Sequence, residues 1–224
     1  MTCTGWRARA EALDTRARGK TAFAALASFL AASALILQFA LLVERFAAQG
    51  EGPLAAAWRF VGFFTILSNF AVAIVGAAMA LAPQATLARP RARLAAATSI
   101  TLVGLVYSLA LRDLWSPEGW QAVADHAMHD ATPVLFVLAW ALDDHGALRW
   151  RDVGAALAPA LIYCVYSLTR GFFDGWYPYW FLDPTRLSWP AIGLSVGALS
   201  VAFTIVALGF VAVDRWLVRR NPPE

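Results

Sequence analysis

A threonine and an asparagine share one face of the apolar stretch WRFVGFFTILSNFAV, which begins at Trp58. Thr65 and Asn69 are four residues apart, and Gly62 precedes Thr65 by three, so helical spacing brings them onto one face. The hydroxyl of Thr65 becomes a nucleophile when a base accepts its proton. The amide of Asn69 can donate a hydrogen bond to a developing oxyanion, and Gly62 is expected to leave room beside the hydroxyl.

Two histidines and two aspartates occur together in a second stretch, DHAMHDATP, which begins at Asp125. His126 and His129 are three residues apart and lie on adjacent parts of one helical face. Asp125 precedes His129 by four residues, a spacing that allows a carboxylate–imidazole hydrogen bond along a helix. Such a carboxylate fixes the tautomer of a histidine base. With Asp130 as further support, the two stretches contain a nucleophile, a base, an orienting group and an oxyanion donor.

Each of these residues also has an ordinary structural interpretation. A threonine in a membrane helix commonly bonds back to the carbonyl four residues earlier, and an asparagine there often links two helices. Asp125 can stabilise the positive end of a helix. The H-x-x-H spacing with an aspartate is also compatible with a metal site.

The elements that position these residues are six apolar stretches of membrane-spanning length in a chain that is 60% hydrophobic. We predict an all-α, polytopic six-helix transmembrane bundle, with a basic tail over residues 1–20, one membrane domain over 21–213 and a tail over 214–224. The predicted spans are Thr21–Val43, Trp58–Ala82, Leu94–Leu111, Val123–Leu142, Val153–Leu168 and Ser188–Val213.

The basic residues predict the orientation of the bundle. If the N-terminus is cytoplasmic, thirteen of the 18 lysines and arginines fall on the cytoplasmic side and five on the other. The positive-inside rule therefore places both termini in the cytoplasm. Thr65 and His129 then lie roughly 9–10 Å below the outer ends of their spans. The net charge of +3 follows membrane topology and does not indicate nucleic-acid binding.

The segment RGFFDGWYPYWFLDPTRL, residues 170–187, is too aromatic for an ordinary solvated loop. It forms either an interfacial aromatic belt or a wall folded over the outer mouth of the bundle.

Three pieces, WRFVGFFTILSN, DHAMHDATPVL and GWYPYWFL, resemble the androgen-induced and androgen-dependent transmembrane protein family and its bacterial relatives. Animal members are six-span threonine hydrolases that cleave fatty acid esters of hydroxy fatty acids. The resemblance implies Thr65 as nucleophile and His129 as base. It also implies an integral protein of a bacterial inner (plasma) membrane, which we expect to have its site toward the extracytoplasmic face. Asp130, directly after His129, suggests that the natural ester differs from the substrate of the animal members.

The sequence therefore predicts a threonine-type lipid-ester hydrolase whose partner is a membrane lipid or fatty acid ester and which uses no cofactor. Two alternatives remain open: a metal-dependent membrane hydrolase that uses His126, His129 and an aspartate, and a non-enzymatic lipid carrier or scaffold. Supporting residues are expected to be Asn69, Asp125, His126 and Asp130. Candidate substrate-binding residues are Arg59, Tyr107, Tyr166, Arg170, Trp176 and Tyr177.

Overall fold

The computed structural model describes residues 3–114 and 116–220, which are helical apart from short connections and contain no strand. The predicted all-α class is therefore confirmed for this part of the chain. The first two residues and the last four of the predicted tails lie outside the described residues, and residues 3–20 continue the first span as helix. The α-helices are α1 Cys3–Ala47, α2 Pro53–Phe60, α3 Phe64–Leu81, α4 Pro90–Val106, α5 Gly119–His126, α6 Thr132–Ala141, α7 Val153–Asp174 and α8 Trp189–Arg220.

Five helical stretches among the described residues are long and apolar enough to cross a membrane, which indicates an integral membrane protein. The stretch that corresponds to the predicted fourth span is not among them. It is one helical unit from Gly119 to Ala141, but ionisable side chains at positions 125, 126, 129 and 130 reduce its apolar character. The five stretches are Arg18–Ala47, Phe64–Leu81, Pro90–Leu114, Trp150–Asp174 and Trp189–Arg219.

The predicted second span is not one continuous helix. The prediction of a helix from Trp58 to Ala82 is wrong, because α2 ends at Phe60 and α3 begins at Phe64. Residues 61–63, called the break below, leave the backbone groups at the end of α2 and the start of α3 without intrahelical partners. Interrupted helices at membrane depth are tolerated where protein groups satisfy the freed backbone.

Two helices contain a single π-helical turn each. Residues Tyr107–Leu111 extend α4 in this form, and Ala127–Ala131 connect α5 to α6. A π-turn accommodates one extra residue and changes the direction in which its side chains point; such turns are frequent at functional sites. Tyr107 and His129 belong to these two turns, and Gly104 lets the turns approach, because a Cβ there would lie 3.0 Å from the carbonyl oxygen of His129.

Small side chains allow α1 to pack closely along α3. Ala24, Ala27 and Ala31 are fully buried, and a Cβ on Gly76 would lie only 2.9 Å from the Ala24 carbonyl oxygen. The Ser28 hydroxyl donates to a carbonyl of α3 at 2.6 Å. Small residues permit such backbone approach between apolar helices, and α3 is thereby fixed against α1.

Buried carboxylates tie together the end of the bundle that the sequence predicts to be cytoplasmic. Asp143, which is 2% exposed, pairs with Lys20 at 2.5 Å and with Arg93. Asp214, equally buried, accepts the backbone N–H groups of Gly146 at 3.0 Å and of Leu148 at 3.2 Å. These pairs close the turn after α6, far along the helices from Thr65.

Candidate active site

Tyrosine hydroxyls satisfy the backbone of the break. Tyr166 donates to the Val61 carbonyl at 3.2 Å, and Tyr163, one turn earlier on α7, donates to the Gly62 carbonyl at 2.8 Å. The Phe64 N–H, the first of α3, donates to the Tyr179 hydroxyl oxygen at 3.2 Å. These bonds replace the intrahelical partners that the break removes.

Thr65 is consequently the second residue of α3 and not a mid-helix residue. The carbonyl four residues earlier, that of Val61, is occupied by Tyr166. The Thr65 hydroxyl instead lies 3.4 Å from Nε2 of His129. That distance is long for a hydrogen bond, but contacts between nucleophile and base commonly tighten only when substrate is bound. The two residues that the sequence paired are therefore neighbours.

The partners of His129 define which of its nitrogens carries the proton. Its Nδ1 lies 3.0 Å from the Asp125 backbone carbonyl and 3.3 Å from the Asp125 carboxylate, both acceptors. We therefore assign the proton to Nδ1, which leaves the Nε2 lone pair directed at the Thr65 hydroxyl. The predicted contact between the Asp125 carboxylate and the His129 imidazole is thus present.

Tyr107 holds both the imidazole and the carboxylate in place. Its ring stacks on the ring of His129, with centroids 3.8 Å apart and an interplanar angle of 14°. Its hydroxyl donates to the carboxylate of Asp125, which is 2% exposed. Tyr107 was expected to bind substrate; the structure shows that it contacts His129 and Asp125 and that it also lines the cavities described below.

Asn69 connects α3, which carries Thr65, to the helical unit that carries His129. Its side-chain nitrogen donates to the Thr65 carbonyl at 2.9 Å and to the Met128 carbonyl at 3.4 Å. Both amide hydrogens are thereby used, so the amide is not free to donate to an oxyanion as the sequence suggested. A supporting role remains, because the residue is fully buried and fixes the spacing of the two elements.

The side chains of His126 and Asp130 lie in a different environment from that of His129. The side chain of His126 is 62% exposed and pairs with Asp130 at 2.7 Å, and Asp130 also pairs with Arg112. No group of three His, Cys, Asp or Glu side chains among the described residues is arranged to hold a metal ion. The H-x-x-H spacing therefore divides into one exposed ion-pair network and one histidine beside Thr65.

Two cavities meet at Thr65. The larger has a volume of about 620 Å³ and is lined by Thr65, His129 and Asp125 together with polar side chains near the predicted outer end of α1. The smaller, about 60 Å³, is almost entirely apolar and lies among α3, α4, α7 and α8. The residues that line both cavities are Thr65, Tyr107, Leu111 and Tyr179.

The candidate substrate-binding residues divide into two groups. Arg59 and Trp176 line the large cavity, with the guanidinium 4.0 Å above the indole ring. Tyr166 and Tyr177 line neither cavity, and Tyr177 packs against Gly171. Arg170 also lines neither, being 5% exposed and bonded to Tyr166 at 3.2 Å and Asp174 at 3.1 Å.

Gly62 makes room for this arginine. A Cβ at position 62 would lie 2.5 Å from Nη1 of Arg170 and 2.6 Å from a ring carbon of Trp176. The expectation that Gly62 leaves space beside the Thr65 hydroxyl is therefore wrong. It leaves space for the residues that support the break.

Sequence reasoning missed Tyr179 and Arg45. Tyr179 contacts the start of α3, and Arg45 lines the large cavity from α1. The aromatic segment 170–187 was the available signal for Tyr179, since Trp176, Pro178 and Tyr179 form one wall of the large cavity. That placement agrees with the interpretation of the segment as a wall. No comparable sequence signal marked Arg45, because an arginine at the end of a predicted span is usually an interfacial anchor.

Comparison of the chain with family models, with curated proteins and with solved structures finds no match. The family resemblance of the three sequence pieces therefore stays a prediction.

Proposed function

We propose that the protein is an intramembrane lipid-ester hydrolase in which Thr65 is the nucleophile and His129 is the general base. The observation that carries the proposal is the chain of contacts from the Thr65 hydroxyl through His129 to Asp125. A hydroxyl, an imidazole with its lone pair directed at it and an acceptor behind the imidazole constitute the arrangement that activates a weak nucleophile.

The proposed reaction proceeds through an acyl-threonine. His129 accepts the Thr65 proton on Nε2 while the hydroxyl oxygen attacks the ester carbonyl carbon. The Asp125 carbonyl and carboxylate hold Nδ1 and stabilise the imidazolium that forms. The imidazolium then protonates the leaving alcohol. Water next attacks the acyl-threonine with His129 again as base, which releases the carboxylic acid and restores the hydroxyl.

The two cavities suit a substrate with two arms. An ester bound at Thr65 has the apolar small cavity on one side, with room for only a short part of an acyl chain, and the large cavity with Arg45 and Arg59 on the other. A guanidinium binds a carboxylate well, so a fatty acid ester with a free carboxylate, such as a fatty acid ester of a hydroxy fatty acid, matches this division. Arg170 does not serve this purpose, because it lines neither cavity.

The proposed topology has six spans with both termini cytoplasmic, the unit Gly119–Ala141 being the fourth span. The distribution of arginines supports this orientation. The large cavity, which Arg45 and Arg59 line, then lies toward the extracytoplasmic face, and a lipid ester reaches it from the outer leaflet. The four ionisable side chains of Gly119–Ala141 contact other side chains of the bundle or lie near its predicted outer end, where charged groups are less costly than in the hydrocarbon.

The alternative functions receive less support from the geometry. Metal-dependent hydrolysis needs converging ligands, and His126 and His129 belong to separate networks. An interrupted helix beside a cavity also suits a lipid carrier. A carrier, however, has no need of an imidazole oriented by a buried aspartate toward a single hydroxyl.

Covalent labelling tests the proposal directly. The purified protein is treated with a long-chain fluorophosphonate, and the modified residue is identified by mass spectrometry. We expect the label on Thr65, and we expect Thr65→Val to abolish both labelling and hydrolysis of 4-nitrophenyl and hydroxy-fatty-acid esters. Thr65→Ser, which keeps the hydroxyl, should retain part of both.

Matched variants serve as controls. Thr204→Val removes a hydroxyl that bonds back to Ser200 at 2.7 Å in α8, outside both cavities. His126→Gln removes the exposed neighbour of the base, whereas His129→Gln removes the base. Only Thr65→Val and His129→Gln should lose activity. Undiminished labelling of Thr65→Val at the wild-type rate would eliminate Thr65 from the mechanism.

A further inference from the structure

The start of α3 has backbone N–H groups that lack intrahelical acceptors. The first bond within α3 runs from the Leu67 N–H to the Phe63 carbonyl at 3.2 Å, so the N–H groups of Phe64, Thr65 and Ile66 have no intrahelical acceptor. The oxygen of the Tyr179 hydroxyl accepts from Phe64 at 3.2 Å and lies within hydrogen-bonding reach of the backbone and side chain of Thr65. The Tyr179 hydroxyl is therefore held beside Thr65, the proposed nucleophile.

The direction of the Tyr179 proton follows from this arrangement. Because the Phe64 N–H donates to its oxygen, the hydroxyl must direct its own proton elsewhere, and a donor on the oxygen makes that O–H a stronger donor. The hydroxyl lies beside the Thr65 side chain, where both cavities meet. Burial raises the pKa of the phenol above its ordinary value, so it stays protonated.

The ring of Tyr179 is held rigidly by its neighbours. It stacks on Phe181 with centroids 5.1 Å apart and an interplanar angle of 5°, and Phe63 and Tyr163 contact it edge-on at 6.4 and 6.2 Å. Pro178 restricts the backbone immediately before it. Catalysis by hydrogen-bond donation depends on such preorganisation, since a fixed donor needs no reorientation as charge develops.

We propose that Tyr179 is a catalytic residue whose hydroxyl stabilises the oxyanion formed at the ester carbonyl. This inference rests on the proposed hydrolase function. As the Thr65 oxygen bonds to the carbonyl carbon, the π electron pair moves to the carbonyl oxygen and the Thr65 proton moves to His129. Tyr179 donates a hydrogen bond to that oxygen and keeps its proton. When the tetrahedral centre collapses, the carbonyl re-forms, the bond to the alcohol oxygen breaks and His129 protonates that oxygen.

The assignment also explains where the oxyanion donor comes from when Asn69 cannot provide it. Both amide hydrogens of Asn69 go to backbone carbonyls. Tyr163 and Tyr166 direct their hydroxyls to carbonyls of the break, and Tyr107 directs its hydroxyl to Asp125. Among the described side chains that contact Thr65, Tyr179 is the one whose proton is not committed to a backbone carbonyl or carboxylate.

The test compares Tyr179→Phe with wild type on 4-nitrophenyl butyrate and with two ketone inhibitors. Removal of one oxyanion donor is expected to lower kcat about 100-fold with little change in KM. A trifluoromethyl ketone, which forms a tetrahedral oxyanion with the nucleophile, should bind about 100-fold more weakly to the variant. The matched methyl ketone, which stays trigonal, should bind both proteins equally. Trp180→Phe, in the same segment but outside both cavities, should retain wild-type kinetics.

The outcomes separate this inference from the proposed function. If Tyr179→Phe keeps wild-type kcat and ketone affinity while Thr65→Val is inactive, the role of Tyr179 is overturned and the hydrolase stands. If Thr65→Val hydrolyses esters at the wild-type rate, both fail. Should Tyr179→Phe not fold, 2,3-difluorotyrosine is placed at position 179; it donates more strongly and should tighten binding of the trifluoromethyl ketone alone, and unchanged binding overturns the role.

Discussion

Substitution of Gly62 by alanine tests whether the break positions Thr65. The new methyl group would lie 2.5 Å from Nη1 of Arg170, 2.6 Å from a Trp176 ring carbon and 3.0 Å from the Arg59 carbonyl oxygen. All three distances are shorter than normal van der Waals contact. Arg170 has little freedom to retreat, because it is 5% exposed and bonded to Tyr166 and Asp174.

The expected cost is that of overpacking a well-packed site, about 1–3 kcal/mol in the free energy of unfolding. For a protein of this size each kcal/mol corresponds to a shift in Tm of about 2–4 °C. Displacement of Arg170 also disturbs Tyr166, which holds the Val61 carbonyl four residues before Thr65. We therefore expect a lower Tm in detergent micelles and a lower kcat for ester hydrolysis, both measured on the same preparation.

Gly197→Ala is the matched control, because a Cβ at position 197 in α8 meets nothing within 4 Å. That variant should be unchanged or gain about 0.5–1 kcal/mol, since alanine is favoured over glycine within a helix. Equal stability and equal activity for Gly62→Ala and Gly197→Ala would refute the argument that the break is sterically fixed.

Two further predictions concern the buried carboxylates. Asp125→Asn should lower kcat only about tenfold, because the Asp125 backbone carbonyl, 3.0 Å from Nδ1 of His129, still accepts its proton. Loss of the orienting aspartate of a serine protease costs roughly 10⁴-fold, and a loss of several thousandfold in steady-state kinetics here would contradict the prediction. Asp214→Leu should lower the free energy of unfolding by about 1–3 kcal/mol, since two backbone N–H groups and His145 lose their acceptor. The KM for ester hydrolysis should stay unaltered; thermal unfolding measures the stability and ester kinetics measure the KM.

The sequence predicted the features that periodicity and composition determine. Long apolar runs gave the helices, and the four-residue spacing of Asp125 and His129 gave their contact, because neighbours on one helix depend on local geometry alone. The proximity of Thr65 and His129 was inferred from their similar depth and from the family resemblance, and in the structure the Thr65 hydroxyl oxygen lies 3.4 Å from Nε2 of His129.

The sequence did not reveal the features that distant residues impose. Residues 61–63 are as apolar as their flanks, and the break is stabilised by Tyr163, Tyr166 and Tyr179, about a hundred positions later in the chain. The two π-turns likewise leave no mark in the local pattern. The role of Gly62 was misjudged for the same reason, since its neighbours come from α7 and the segment that follows it.

The dependence of the break on α7 and Tyr179 has a consequence for biosynthesis. A growing chain that has emerged only as far as α6 already contains Thr65 and His129, but it lacks the three hydroxyls that satisfy the interrupted backbone. Until α7 and the aromatic segment after it are inserted, the carbonyls of Val61 and Gly62 and the N–H of Phe64 lack the tyrosine partners that they have in the folded bundle. Under the proposed function, the site is therefore completed only late in synthesis, after both elements have joined the bundle.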